Sequence, residues 1–194
     1  MITKTPSELK NIGIDLMDDK ALIITKTISK IRIDEINSDE KFNNVIKEIY
    51  NRLMLEKVIL GDPQIISHEE VTKEHVKTHL NPHGNSFKTL QVEVEIPYSG
   101  SSELLSYHPN GYMFSNDIFP NVILPDSDNC ISVLVEGVKY DKHDVLNAVE
   151  KMLSLTKQFI GSNNQQVDHF NNLILSRTRN ELALHREKMN RLYN

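Results

Sequence analysis

Two carboxylates and a lysine near the centre of the chain are residue types that a metal-dependent nuclease uses. Asp126 follows Pro125, while Glu136 and Lys139 come at the end of a short apolar segment. In restriction-type nucleases two carboxylates hold a divalent metal ion, and the lysine helps to position the attacking water. Glutamate and lysine must project from the same strand face, which requires a separation of two residues, but here it is three. Hydrolysis is therefore the alternative expectation, not the leading one.

Histidines offer a second route to metal chemistry. His75, His79 and His83 are spaced by four residues, and two histidines four apart on a helix can share a metal ion. Pro82 argues against one helix that carries all three, and no Glu completes a helical zinc-hydrolase motif. We therefore expect no metal ion and no cofactor, with His75 and His79 as the alternative ligands.

The C-terminal segment is locally basic. Arg177, Arg179, Arg186 and Arg191 lie there, in a chain whose net charge is -5. A broad nucleic-acid surface needs many clustered Lys and Arg residues. The simpler interpretation is a solvated helix face, and contact with nucleic acid through these arginines is the weaker hypothesis.

Composition indicates a globular protein of the cytoplasm. The 194 residues suit one domain, or one domain with an extension, and 39% hydrophobic with 25% charged residues is ordinary for such a chain. The single cysteine, Cys130, allows no internal disulfide and suits a reducing compartment. The polar N-terminus lacks the apolar core of a signal peptide, and no apolar run approaches the ~20 residues of a bilayer span. We expect a cytoplasmic protein with no membrane partner.

Apolar spacing predicts an N-terminal α/β portion. Residues from Phe42 to Leu53 have helical spacing and follow Asn37, which can cap a helix. Leu22 to Ile24 predicts an extended segment, and the alternation from Leu90 to Ile96 predicts a half-buried strand. Residues 64–87 leave alternatives open, since Ile65 and Ile66 fit a strand, while Glu69 to His79 fit a helix or an irregular segment.

A β-hairpin is expected next. Asn121 to Leu124 and Ile131 to Val135 are strand-like and flank Asp126 to Asn129, a run of turn-forming residues. These strands complete a mostly antiparallel sheet.

The last part of the chain predicts two long helices folded back on each other. Apolar residues recur at helical spacing from Leu146 to Ile160 and from Val167 to Leu192, and Gly161 to Asn163 predicts a short reversal between them. The expected fold is α+β, with an N-terminal helix, a mostly antiparallel sheet and a long C-terminal αα-hairpin. We divide it into residues 1–140, the α/β portion, and residues 141–194, the helical hairpin.

Surplus apolar residues on the predicted hairpin suggest a binding surface. Val145, Leu155, Phe159 and Leu173 widen the apolar stripes beyond what two helices need to cover each other. The leading hypothesis is a non-catalytic module that self-associates, or docks a protein partner, through these residues.

One region resembles a known group of sequences. Glu95 to Gly100, Glu103 to Leu105 and Tyr107 to Pro109 are similar to the N-terminal region of uncharacterised bacterial proteins. The likeness covers roughly residues 60–192. In longer members this region precedes a restriction-endonuclease-like domain. The resemblance implies a recognition, dimerisation or docking module in a nuclease-linked system, with antiviral defence as one setting, and it brings no catalytic residues with it.

Overall fold

The computed structural model describes residues 2–74, 86–109, 122–125, 129–137 and 141–193. Three α-helices lie in these residues: α1 (Met17–Ile28), α2 (Asp39–Leu53) and α3 (Lys142–Tyr193). The strands are β1 (Ile2–Lys4), β2 (Lys10–Asn11), β3 (Ile59–Leu60), β4 (Gln64–Glu74), β5 (Ser86–Ser99), β6 (Tyr107–His108), β7 (Val122–Leu124) and β8 (Cys130–Glu136). Short helical turns occur at Pro6–Glu8, Ile12–Leu16, Ile33–Glu35 and Ser102–Ser106. The predicted α+β class is confirmed.

The chain forms two compact units, each assembled from several segments. The sheet unit contains Met1–Leu9, Val58–Ser106 and Phe114–Ile160. The helical unit contains Lys10–Lys57, Tyr107–Met113 and Gly161–Asn194.

The sheet unit is built around β5. Strand β4 pairs antiparallel with one edge of β5, and β8 pairs antiparallel with the other. Val92, Val94 and Ile96 of β5 alternate with polar residues and are buried. Their partners on β8 are also buried: Val135, Val133 and Ile131, in that order. One face of the sheet is therefore core, as the alternation predicted.

The helical unit packs α1, α2 and the C-terminal half of α3 around one apolar cluster. The cluster contains Ile24, Ile28, Ile36, Ile46, Ile49, Leu53, Ile174 and Leu182. Helix α2 begins where the Ser38 hydroxyl accepts a hydrogen bond from the N–H of Lys41, so the cap lies one residue after the predicted Asn37. Arg186 pairs with Asp39 near the start of α2, and Asn171 bonds to Leu55 just past its end. Helices α2 and α3 are therefore antiparallel.

The predicted αα-hairpin is wrong, because α3 is one continuous helix of 52 residues. Gly161 lies inside it, and a helical glycine costs only about 1 kcal/mol relative to alanine. Buried positions also keep a spacing of three or four residues through the supposed reversal. They are Val149, Leu153, Thr156, Ile160, Asn163, Val167, Phe170, Ile174, Thr178 and Leu182. Because Thr156, Asn163 and Thr178 in this series are polar, the spacing of apolar residues alone does not reveal one continuous helix.

Two further predictions are corrected. Leu22 to Ile24 lies in α1 and not in a strand, because Ala21, Ile24 and Ile28 are buried together on one side of a helix. The strands on either side of residues 126–129 do not form a hairpin. Strand β7 pairs with β1, and β8 pairs with β5.

Candidate functional site

Glu136, the described member of the predicted nuclease site, has a lysine as its partner. It is the last residue of β8 and is exposed, and its carboxylate forms an ion pair with the ammonium of Lys73 on β4. Asp126 and Lys139 lie outside the described residues. The structure thus brings Glu136 to a cation on β4, across the central strand β5, where the pair contributes to the polar face of the sheet.

The predicted histidine site, His75 and His79, also lies outside the described residues. Within the residues that the structure describes, no group of three or more His, Cys, Asp or Glu side chains is arranged to hold a metal ion. The metal hypothesis therefore gains no support from this part of the chain.

Three of the four arginines proposed to contact nucleic acid have carboxylate partners. Arg177 donates to Glu181 over 2.7 Å, and Arg191 donates to Glu187. Arg186 donates to Asp39 over 2.9 Å, and its guanidinium lies 5.4 Å from the centre of the Phe42 ring. Arg179 is exposed. Exposed ion pairs are weak, but each one offsets the positive charge of an arginine that would otherwise attract a nucleic-acid phosphate.

The proposed interaction residues of the hairpin are mostly interior. Val145, Leu155 and Phe159 are only 1%, 6% and 3% exposed, so they offer no surface for a partner. Leu173 is 39% exposed and lines a shallow groove of about 420 Å³ together with Met17 of α1 and polar residues of α3. The surplus of apolar residues that suggested a docking face is largely used inside the protein.

The most distinctive accessible feature of the sheet unit is the outer edge of β4. This strand has 11 residues and pairs with β5, and no other strand in the described parts of the chain pairs with it. Glu69, Glu70 and Thr72 are exposed. A strand at a sheet edge presents unpaired backbone donors and acceptors, which can bind an additional strand.

Backbone hydrogen bonds elsewhere in the sheet determine which residues of β4 face outward. The N–H of Gly137 donates to the carbonyl of Leu90, so the backbone groups of Leu90 point towards β8. Leu90 lies opposite Glu70 in the β4–β5 register. Because donors and acceptors alternate in direction along a strand, Glu70 points its own N–H and C=O away from β5. His68 and Thr72 share this direction, whereas Glu69, Val71 and Lys73 bond towards β5.

A bulge limits the regular part of this edge. The register between β4 and β5 shifts between Ile65 and Ser67, and Ile66 at the shift is 49% exposed. Bulges commonly end regular pairing at sheet edges. The straight edge therefore runs from Ser67 to Glu74.

A groove adjoins the start of β4. It has a volume of about 560 Å³ and lies between the beginning of β4 and the first turns of α3. Its apolar lining comes from Pro63, Ile65, Ile66, Val145 and Leu146, and its polar lining comes from Gln64, His68 and Lys142. A segment paired with the edge has apolar surface available beside it.

Ion pairs surround the straight edge. A hydrogen bond from the Lys88 ammonium to the Glu70 carboxylate holds the pKa of Lys88 above its usual value. On the opposite face, Lys73 pairs with Glu136, and the hydroxyl of Ser67 donates to Glu93 over 2.9 Å. Both faces of β4 are thus polar, and no strand among the described residues covers its outer backbone edge.

Sequence reasoning missed this edge because β4 is exposed on both faces. Polar residues such as Glu69, Glu70 and Thr72 hide the period-two alternation that marks a half-buried strand. The available signal was the β-branched content of Ile65, Ile66 and Val71, which favours a strand over a helix.

Comparison with known proteins adds no function. No protein-family model, curated protein or solved structure matches the chain. In the described part of the chain, none of the helices combines the length and apolar character needed to cross a bilayer.

Proposed function

We propose that this protein is a non-catalytic interaction module that binds an extended protein segment, from a partner or from a second copy, along the outer edge of β4. The observation that carries the proposal is the outer backbone edge of β4 from Glu69 to Glu74, with which none of the described strands pairs. Main-chain hydrogen bonds to such an edge supply affinity, and neighbouring side chains supply selectivity. The groove beside Ile65 and Ile66 adds a place for an apolar side chain of the bound segment.

We place the module in a bacterial nuclease-linked system of the cytoplasm, with antiviral defence as one setting. This placement rests on the resemblance of Glu95 to Pro109 to sequences that precede restriction-endonuclease-like domains. It is an analogy between sequences, and the edge of β4 supports binding independently of it.

Metal-dependent hydrolysis and nucleic-acid binding have less support. The carboxylate of Glu136 is engaged by Lys73, and three of the four proposed arginines are engaged by carboxylates. A binding module needs neither a metal ion nor an activated water. We therefore expect no cleavage of plasmid DNA in the presence of Mg²⁺ or Mn²⁺.

Thr72→Pro tests the proposal directly. Proline removes the outward N–H of Thr72 but breaks no hydrogen bond to β5, so β4 stays in the sheet while the edge loses a donor. Thr72→Ala is the matched control because it keeps the N–H. Binding partners are selected from a phage-displayed library of random heptapeptides, and self-association is followed by sedimentation.

The proposal predicts self-association, selection of extended peptides, or both, with loss in Thr72→Pro and retention in Thr72→Ala. Circular dichroism verifies that both variants keep the fold. A wild-type protein that stays monomeric and selects no peptide contradicts the proposal, as does binding that Thr72→Pro leaves unchanged.

A further inference from the structure

We propose that the occupant of the β4 edge is a second copy of this chain, paired antiparallel with Val71 on the two-fold axis. The inference rests on the proposed function, since it specifies what binds the same edge. In this register Val71 lies opposite Val71 of the second copy, and Glu69 lies opposite Lys73. The axis produces the Glu69–Lys73 contact twice.

The charge pattern of β4 selects this register. Glu69 and Lys73 lie two residues on either side of Val71, and all three side chains are on the same face of the strand. Opposite charges that face each other across two strands are stabilising, and like charges are destabilising. If the two-fold axis passed through Glu69, Glu70 or Lys73 instead, that residue would lie opposite the same residue of the second copy, and two like charges would face each other.

Backbone direction fits the same register. Glu70 and Thr72 point their N–H and C=O groups outward, as the Leu90–Gly137 hydrogen bond shows. With Val71 at the axis, Glu70 of one copy lies opposite Thr72 of the other. The outward N–H and C=O groups of these two residues can then form hydrogen bonds with each other. The Val71 and Glu69–Lys73 positions become non-hydrogen-bonded pairs, in which Cα atoms approach to about 4.5 Å and side chains are closest.

The bulge and the existing ion pair are compatible with this arrangement. The paired segment is centred on Glu69 to Lys73, entirely after the register shift at Ile66. Lys73 already contacts Glu136 of its own chain. This contact reaches across β5, away from the outer edge, so Lys73 turns towards the edge to meet Glu69 of the second copy and exchanges one weak, exposed ion pair for another. The same charges disfavour other strands and other registers, which gives the edge selectivity.

Cysteine cross-linking tests the register. In a Cys130→Ala background, Val71→Cys places two thiols across the axis within the separation that a disulfide spans. Ser67→Cys is the matched control on the same strand face, because it keeps Glu69 and Lys73 and places the two introduced cysteines eight residues apart along the strand direction, roughly 26 Å. We expect a disulfide-linked dimer under mild oxidation from Val71→Cys and almost none from Ser67→Cys.

Charge reversal tests the same contact without cysteine. Glu69→Lys and Lys73→Glu each place like charges opposite each other twice, so each is expected to weaken the dimer by about tenfold. The double variant Glu69→Lys/Lys73→Glu restores both pairs and is expected to recover dimerisation. Sedimentation measures all three, and circular dichroism verifies folding.

The outcomes separate this inference from the proposed function. A wild-type chain that is monomeric at every soluble concentration overturns the second copy as occupant, as does equal cross-linking of the two cysteine variants or a double variant as weak as the singles. If such a monomer still selects peptides in a way that Thr72→Pro abolishes, the edge binds a different protein and the proposed function stands.

Discussion

Glu70 of β4 and Leu90 of β5 lie opposite each other without exchanging backbone hydrogen bonds. The carbonyl of Leu90 accepts from Gly137 over 3.1 Å on the far side of β5, which leaves the backbone of Glu70 directed outward. This relationship determines which backbone N–H and C=O groups of β4 face outward. It connects the sheet topology to the proposed binding mode.

The continuity of α3 predicts that Gly161→Ala stabilises the protein. Gly161 is exposed, has no positive φ, and an added Cβ meets nothing within 4 Å. Alanine gains about 1 kcal/mol over glycine in a helix interior. Urea denaturation measures the change in the free energy of unfolding. Gly161→Pro is the opposite control and should cost about 3 kcal/mol or more. Destabilisation by alanine would instead favour a turn at this position.

Asn171 is expected to stabilise the helical unit through the backbone of Leu55. Its amide donates to the Leu55 carbonyl over 2.9 Å, and its oxygen accepts from the Leu55 N–H over 2.8 Å. Asn171→Ala leaves both backbone groups without this partner, which should cost about 2 kcal/mol. Asn171→Asp retains the acceptor and should cost less than alanine in thermal or urea denaturation. Equal stability of wild type and Asn171→Ala would show that water replaces these bonds fully.

Thr178→Val is expected to increase stability. The Thr178 hydroxyl is fully buried and has no hydrogen-bond partner among the described residues. Burying a hydroxyl without a partner costs about 1–3 kcal/mol, and valine fills nearly the same volume without that penalty. Chemical denaturation of Thr178→Val, with Thr178→Ala as a cavity control, measures the effect. A loss of stability in the valine variant would reveal a hydrogen bond to this hydroxyl.

Glu8 supplies a pH-dependent contact at the N-terminus. Hydrogen bonds from the backbone N–H of Thr5 and from its hydroxyl, 2.7 and 2.8 Å long, hold the pKa of Glu8 below its usual value. A carboxyl with a lowered pKa in the folded state stabilises the protein above its unfolded pKa, and the contribution is lost as pH falls through the folded pKa. NMR titration should show the Glu8 pKa rising in Thr5→Ala, while remaining below normal because the backbone bond persists. An unchanged pKa would mean that the hydroxyl contributes nothing.

The elements with a buried face could be predicted from the sequence. Strand β5 and helix α2 both have alternating or helical apolar spacing, because one side of each is packed and the other is solvated. Thr5 and Glu8, three residues apart, have the spacing of a capping pair and form that contact. In contrast, α1 contains three consecutive apolar residues, of which Leu22 and Ile23 are exposed and Ile24 is buried. Such a run is typical of a strand, so the sequence pattern does not indicate a helix there.

The open edge and the true extent of α3 could not be read in the same way. Strand β4 exists because β5 supplies its hydrogen bonds, and that pairing is a tertiary contact without a local pattern. Gly161 and Asn163 have the composition of a turn, yet the helix passes through them because the buried positions before and after stay in phase. Long-range packing thus overrides local turn propensity at both places.

Amide hydrogen exchange along β4 tests the central claim most directly. In dilute protein, the N–H groups of Glu70 and Thr72 should exchange fast, while those of Glu69, Val71 and Lys73 are protected by β5. On raising the protein concentration, the account predicts that Glu70 and Thr72 become protected, and that Thr72→Ala behaves in the same way at Glu70. Protection of Glu70 and Thr72 already in the dilute monomer, or fast exchange at every concentration and with every selected peptide, would contradict a binding edge at β4.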